Sequence, residues 1–488
     1  MKSYLAIDAG TTAVKILLAD EAQHTLFAGE LPVTVIRTAP GSAEMDMETY
    51  WAALCRLTRQ AASACPTAWQ ALQGVCAAGQ GDGLWPLDSA GNSFMPAILW
   101  QDTRAAVYCD AAADLSWRYN SNRLQPGCRS AILAWLREYR REAYDRIALP
   151  LGCVSFLNQR LTGTAVTDAS CCGDCFDILS GAYVPALYDR LGIGDMTAKL
   201  PPVLPCDARI GCVTAAAARQ TGIPEGTPVY NGCLDATAAV MGGSRLREDR
   251  VSVCAGTTLL VMAAQREPPA FPLPDGVYAD RLPYAPPLYR MCFAPSSGAS
   301  AIAAEKARYA PEISYEAMYR RMEAIPMGCG GLTYLPFLYG ERSPFYCPQA
   351  QAGYYGAAPE HTVWHRLRAA AEGVLFAARH CLDTLGRTFT AAELTGGAAR
   401  SPVFCQMASD IWGIPVEVGQ DVYAGVNGCL AIMRQAEGTL PEMSGGACVQ
   451  TYRPAPERRP AAEDAYRRYR QIVARMLPVW KTAEYERR

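Results

Sequence analysis

The tetrapeptide Ala-Gly-Thr-Thr occurs twice in this chain, at residues 9–12 and again at 255–258. Its settings match as well: "LAIDAGTTAVKILLAD" spans residues 5–20 and "VSVCAGTTLLVMAAQ" spans 251–265. In each, one apolar run enters a Gly-Thr-Thr turn and another leaves it, the pattern of strand, turn and strand. Repetition at so long an interval marks duplication of a whole fold, since solenoid units recur about every 20–50 residues. The chain is therefore expected to form two halves that open with the same hairpin.

The first half begins with predicted strands at 4–8, 13–19 and 26–35, followed by a helix in "DMETYWAALCRLTRQAASAC" and a strand in "LQGVCAAGQ". Helical patterns fill 103–147, with loops at 121–128 and 149–153, and "PVYNGCLDA" reads as another strand. The glycine-containing charged break "MGGSRLRED" puts a boundary near Gly243, giving lobes 1–243 and 244–488. Beyond it come the second hairpin, a proline-rich loop at 267–287 and a polar helix near 461–485.

A net charge of −2 argues against nucleic acid as a partner. No apolar run approaches a membrane span, and the N-terminus lacks the apolar stretch of a secretion signal, so a cytoplasmic location is expected. The 20 cysteines then read as reduced, mostly buried hydrophobes. Cys172 and Cys175 form a C-x-x-C, but Cys206 and Cys212 do not supply the second pair of a zinc ribbon. His361 and His365 lack the glutamate of a zinc-peptidase helix and read as surface residues at a helix start.

A glycine-tipped turn exposes backbone N–H groups that attract anions, phosphate above all. Asp8, before the first turn, has the chemistry to hold Mg²⁺ through water, and Lys15, after it, to neutralise phosphate. A nucleotide clamped between two lobes would need one such turn from each. P-loop, Rossmann and esterase motifs are all absent.

Five segments in order resemble the FGGY family of carbohydrate kinases, within the actin/hexokinase/Hsp70 superfamily. "DAGTTAVK" and "CAGTT" resemble its two phosphate loops, and "GCLDATAAVMGG" the segment with the catalytic aspartate. "LPFLYGERSPF" resembles its signature region, and "LTGGAARSPVFCQMASDIWGIPV" its adenosine loop. The resemblance implies an α/β, two-lobed actin-like ATPase (ribonuclease H-like) fold, each lobe a mixed sheet flanked by helices, with ATP and sugar in the cleft between. It also implies ATP with Mg²⁺ as the phosphoryl donor.

On this resemblance Asp235 is the general base, able also to serve as a helix N-cap, and it shares the Mg²⁺ with Asp8. Gly10, Thr11, Thr12 and Lys15, with Gly256, Thr257 and Thr258, cradle the phosphates. Gly396, Gly397 and Ala398 leave a bare surface for adenosine, and Ser401 lies just beyond them. Glu341 and Arg342 read as a structural pair, and Ala352 stands where the family often has a basic residue. The sugar pocket is expected from Gln80, Gly81, Asp82, Trp100, Asp102 and Arg104, together with Asp235. Arg104 reads equally as a surface ion pair, and Trp100 as core.

Gly81 and Asp82 stand where glycerol kinases carry an Arg-Glu pair, an exchange expected to open space for a longer substrate. The loop resembles the erythritol-kinase and L-xylulose-kinase branch, so a four- or five-carbon polyol or ketose is expected. Kinases of D-xylulose, glycerol or gluconate, and a catalytically silent actin-like scaffold or filament former, are the alternatives. A homodimer is compatible with the sequence.

Overall fold

Two mixed sheets carry the duplication. The computed structural model describes residues 2–120, 124–172, 176–243, 247–274, 276–283, 286–419, 424–438 and 448–482. The first sheet comprises β1 (Ser3–Ala9), β2 (Ala13–Asp20), β3 (Thr25–Pro32), β4 (Leu72–Gly79), β5 (Arg209–Cys212) and β6 (Pro228–Leu234), in the order β5-β6-β4-β1-β2-β3. The second comprises β7 (Arg250–Ala255), β8 (Leu259–Gln265), β9 (Tyr278–Leu282), β10 (Leu288–Phe293), β11 (Ala391–Thr395), β12 (Val416–Gly419) and β13 (Cys448–Tyr452), in the order β9-β10-β8-β7-β11-β12-β13. In each, an antiparallel meander leads into parallel strands: β3-β2-β1-β4-β6 is answered by β10-β8-β7-β11-β12.

The helices used below are α1 (Met47–Ala64), α2 (Cys153–Thr162), α3 (Asp235–Gly243), α4 (Ala299–Tyr309), α5 (Tyr315–Glu323), α6 (Val363–Thr384), α7 (Pro402–Trp412), α8 (Ala424–Ala436) and α9 (Arg459–Thr482). Asp46 caps α1 by accepting from the Thr49 N–H, as its acidic start foreshadows. Parallel strands buried on both faces read as unbroken apolar runs, and β1 obeys a strict alternation. Leu5, Ile7 and Ala9 pack with α1 and α2, whereas Tyr4 and Ala6 pack with α3 and α8. Asp8 shares the second set's parity and so faces α3 and α8.

That face departs from a division at residue 243. α8 comes from the second half of the sequence, yet Val426, Cys429, Leu430 and Met433 complete the core on the first sheet. The Cys429 thiol reaches the Ile7 carbonyl, and Gln435 donates to Asp207. A boundary near Gly243 separates the sheets but not their covering helices; residues 244–246 lie outside the described ones. α3 and α8 approach closely because Gly428 has no side chain: a Cβ there would lie 2.0 Å from the Ala238 carbonyl oxygen.

Local expectations are corrected in three places, and the C-terminal helix is borne out. The proline-rich stretch 267–287 contains β9, which pairs with β10. The expected loop 149–153 contains the strand Leu149–Leu151, paired with Trp85–Leu87, and α2 begins at Cys153. His361 is buried against the Gly330 carbonyl, while His365 completes the capping box of α6 with Thr362. The polar C-terminal helix is α9, whose Tyr466, Tyr469, Val473 and Trp480 are buried; residues 483–485 and Cys175 lie outside the described residues.

Because the Ala238 carbonyl belongs to a helix turn and cannot rotate away, Gly428→Val should force α3 from α8. The expected cost is at least about 2 kcal/mol, of the order known for overpacked cores, and it is read as a lowered melting temperature. An unchanged melting curve would show that the two helices tolerate a wider spacing.

Candidate active site

Three parallel strands of the first sheet end level with one another. Ala9 and Leu234 both pair with Gly79, so β1, β4 and β6 release their following residues at one edge. Ligands of open α/β sheets bind at such carboxyl ends. The edge here gathers the 10–12 turn, the 80–83 loop and Asp235, three separate stretches of sequence.

The turn and the loop are joined by hydrogen bonds. Gly10 N–H donates to the Ala13 carbonyl at 3.1 Å, and the Gln80 N–H to the Ala9 carbonyl at 3.0 Å. The Tyr50 hydroxyl donates to the Gly10 carbonyl at 2.9 Å. Thr12 is exposed at the tip, while the Thr11 hydroxyl is engaged, donating to Gln80 Oε1 and accepting from the Trp100 indole. Asp82 adopts a left-handed backbone (φ 51°), a conformation that aspartate tolerates better than most residues.

Asp8 and Asp235 form the electrostatic centre. Asp8 pairs in register with Lys15 on β2, and neighbours of this kind share a sheet face. Burial raises the Asp8 carboxyl above its ordinary pKa, against the pull of Lys15. Burial likewise pushes Asp235 up to about 6; an N–H bond from Ala236 opposes the rise and the Asp8 charge adds to it. A Cβ at Gly425, at the start of α8, would lie 3.5 Å from the Asp8 carboxylate, in ordinary van der Waals contact, which places the start of α8 beside Asp8. Two partly desolvated carboxylates beside the 10–12 turn form a donor set suited to a hydrated Mg²⁺.

Two expected pocket residues serve the scaffold. Asp102 is 2% exposed; it accepts from the Ala43 N–H and from the Arg104 guanidinium. Arg104 also pairs with Glu44 and lies over the Trp135 ring at 4.5 Å. Together they tie the 41–45 segment to the helix that carries Trp135. Gly81 does not open space either: a Cβ there would sit 2.2 Å from Leu234 Cδ1. Leu234, the residue before Asp235, fills that volume. No sequence motif flagged it.

In the second lobe the 256–258 turn is braced from behind. The carbonyls of Gly256 and Thr257 accept from Ala299 and Gly298 at the start of α4, at 2.7 and 3.0 Å. Gly298 and Gly396 are required there, since a Cβ on either would collide with the backbone of residues 255–258. Glu341 and Arg342 brace the same region through backbone rather than through each other. Glu341 accepts from the N–H groups of Ser296, Arg342 and Ser343, while Arg342 donates to the Ala294 carbonyl. Burial pushes the Glu341 carboxyl up to about 7, against those three N–H bonds.

Beside this turn lies a cavity of about 1410 Å³ that brings together Gly256, Thr257, Gly397, Ala398 and Ser401. Nothing lies within 4 Å of a Cβ at Gly397, so open space borders that residue, whereas Ala398 is buried. Ser401 caps α7 by accepting from the Phe404 N–H, so its hydroxyl is partly committed. The far wall was not foreseen: Tyr315, Tyr319 and Arg320 of α5, with Tyr339. Their signal was "YEAMYRR", aromatic residues at helical i, i+4 spacing. The buried Ser300 hydroxyl at this wall has no hydrogen-bond partner.

Residues 3–242 match the profile of the FGGY family of carbohydrate kinases, N-terminal domain, and residues 251–436 that of its C-terminal domain. A probable L-xylulose kinase of Pasteurella multocida is 28% identical, over 97% of this chain and 99% of its own. The L-xylulose/3-keto-L-gulonate kinase of Escherichia coli is 27% identical, over 96% of each chain. The crystal structure of a xylulose kinase from Rhodospirillum rubrum superposes with a TM-score of 0.88, at 23% identity, over 98% of this chain and 100% of that one. The two-sheet fold is thus the one seen in that solved sugar kinase.

A carboxyl whose pKa is higher in the fold than in the unfolded chain weakens the fold as pH rises between the two values. For Asp235 that window runs from 3.8 to about 6. In EDTA at pH 7–8, Asp235→Asn should therefore melt higher than the wild type, by about 2–4 °C. The gain should vanish near pH 4. A gain independent of pH would mean that Asp235 is not held against its own charge.

Proposed function

The chain belongs to the FGGY family of carbohydrate kinases, and we propose that it transfers the γ-phosphoryl group of ATP to a hydroxyl of a four- or five-carbon ketose or polyol, an L-xylulose-like ketopentose first among them. The observation that carries this reading is the position of Asp235. It is a half-buried carboxylate of raised proton affinity, on one strand-end edge with the 80–82 loop and the first Gly-Thr-Thr turn. The substrate class follows the names of the relatives.

In this reading Asp235 accepts the proton of the attacking hydroxyl, and its raised pKa suits it to that work near neutral pH. Asp8 and Asp235 hold Mg²⁺ through water, and that ion supplies charge neutralisation at the transferred phosphoryl oxygens. The amides of the 10–12 and 256–258 turns receive the phosphates, with Lys15 nearby. Adenosine lies on Gly397 and Ala398, walled by the α5 tyrosines. Asp82, with Gln80 and Trp100, orients the sugar hydroxyls. Sugar comes from the lobe built on 1–243 and nucleotide from the lobe built on 244–488, α8 excepted. Among the described residues no helix is long and apolar enough to cross a membrane; a cytoplasmic enzyme, monomer or homodimer, is the reading offered.

A coupled assay of ADP release with erythritol, L-xylulose, L-ribulose, D-xylulose, ribitol, glycerol and gluconate tests the substrate. Preference for glycerol or gluconate would overturn the pocket assignment and leave the kinase. Asp82→Ala should raise the KM of the favoured sugar far more than that of ATP, because a substrate hydroxyl loses its buried partner. Asp235→Asn should keep ATP affinity within about twofold and lower kcat at least about 100-fold; near-normal turnover would mean that another group takes the proton.

A further inference from the structure

Trp100 carries a division of labour within one side chain. Its ring is 48% exposed at the rim of the sugar loop, yet its indole N–H is tied inward, donating to Thr11 Oγ1 at 3.1 Å. Thr11 Oγ1 in turn donates to Gln80 Oε1 at 3.3 Å. Gln80 is itself buried, with its backbone N–H on the Ala9 carbonyl at 3.0 Å. A threonine hydroxyl has one hydrogen to give. Given to Gln80, it is not available to a phosphate oxygen, so the side chain of Thr11 positions the turn and the backbone amides are left to meet the ligand.

The tryptophan is also anchored from below. A Cβ at Gly127 would lie 1.9 Å from the Trp100 carbonyl oxygen, and the Gly83 N–H donates to the Gly127 carbonyl at 2.8 Å. These contacts fix the Trp100 main chain, and the indole itself is held by Thr11 while the residue stays half exposed. A solvent-facing ring whose only polar atom points at a phosphate turn is more than a stacking surface.

We propose that Trp100 is a positioning residue which, through Thr11, couples occupancy of the sugar pocket to the placement of the first phosphate turn. The proposal rests on the kinase reading above. Sugar lying over the exposed face restrains the ring, the restrained N–H fixes the Thr11 rotamer, and the turn is held where the γ-phosphate needs its amides. The chain of contacts is Trp100, Thr11 and Gln80, all within one lobe.

The test uses Trp100→Phe, which keeps an aromatic face and removes the N–H, and Thr11→Val, which keeps the shape and removes the hydroxyl. Each should lower kcat about 3- to 10-fold, the range expected for one lost hydrogen bond, with the sugar KM changed less than about threefold. The double variant should be no worse than either single one, as for two members of one contact. Thr11→Ser, which restores the hydroxyl, should restore kcat. Multiplying effects, or a Trp100→Phe variant in which only the sugar KM rises, would overturn the proposal. Affinity for a non-hydrolysable ATP analogue, measured calorimetrically with and without each sugar, separates this from the kinase reading. Sugar should tighten it in the wild type but not in Trp100→Phe, Thr11→Val or the double variant, even if no sugar tried is phosphorylated. A sugar effect preserved in all three variants would overturn the relay, whereas a wild type inert on every sugar would overturn the substrate reading alone.

Discussion

Everything at the candidate site depends on the parallel register of β1, β4 and β6. Because Ala9 and Leu234 both align with Gly79, the 10–12 turn, the 80–83 loop and Asp235 are delivered to one edge. A slip of one residue in β1 would move Asp8 from the α3–α8 face to the α1 face. Register is held by burial on both sides: Leu5, Ala6 and Ile7 are all inaccessible, so neither face can be exchanged for water.

The second constraint is electrostatic. Asp8 and Asp235 are kept with less charge compensation than their burial requires, and the rest of the fold sustains that cost. Two buried charges elsewhere are answered by a counter-charge, whereas Glu341 is met chiefly by backbone N–H groups and is also pushed up, to about 7. Arg368 and Glu372 pair inside α6, and Asp102 is clamped by Arg104.

Much of this was legible in the residues. The doubled turn foretold the duplicated hairpins, hydrophobic period placed β1, β2 and α1, and α9 was expected as a polar helix. Long-range geometry was not legible, for physical reasons. α8 packs on the first sheet because its small residues fit against α3, a match that no local pattern in 424–436 announces. Asp102 and Arg104 carry the right chemistry for a sugar, and only their mutual contacts show them occupied. The room expected at Gly81 depends on Leu234, remote in sequence and adjacent only once β6 lies beside β4. Tyr315 and Tyr319 look like any half-buried helix face until Gly397 is set opposite them.

The route of the chain through α8 bears on how such a duplication can be taken apart. A fragment ending at residue 243 would contain the whole first sheet and yet present Tyr4, Ala6, Cys76 and Cys233 to solvent, because their cover is made of residues 424–438. Each half therefore carries an unpaid debt to the other, and the gene cannot be split at its apparent seam into two self-sufficient proteins. The ancestral single unit, if it stood alone, had to supply such a helix in cis or borrow it from a twin.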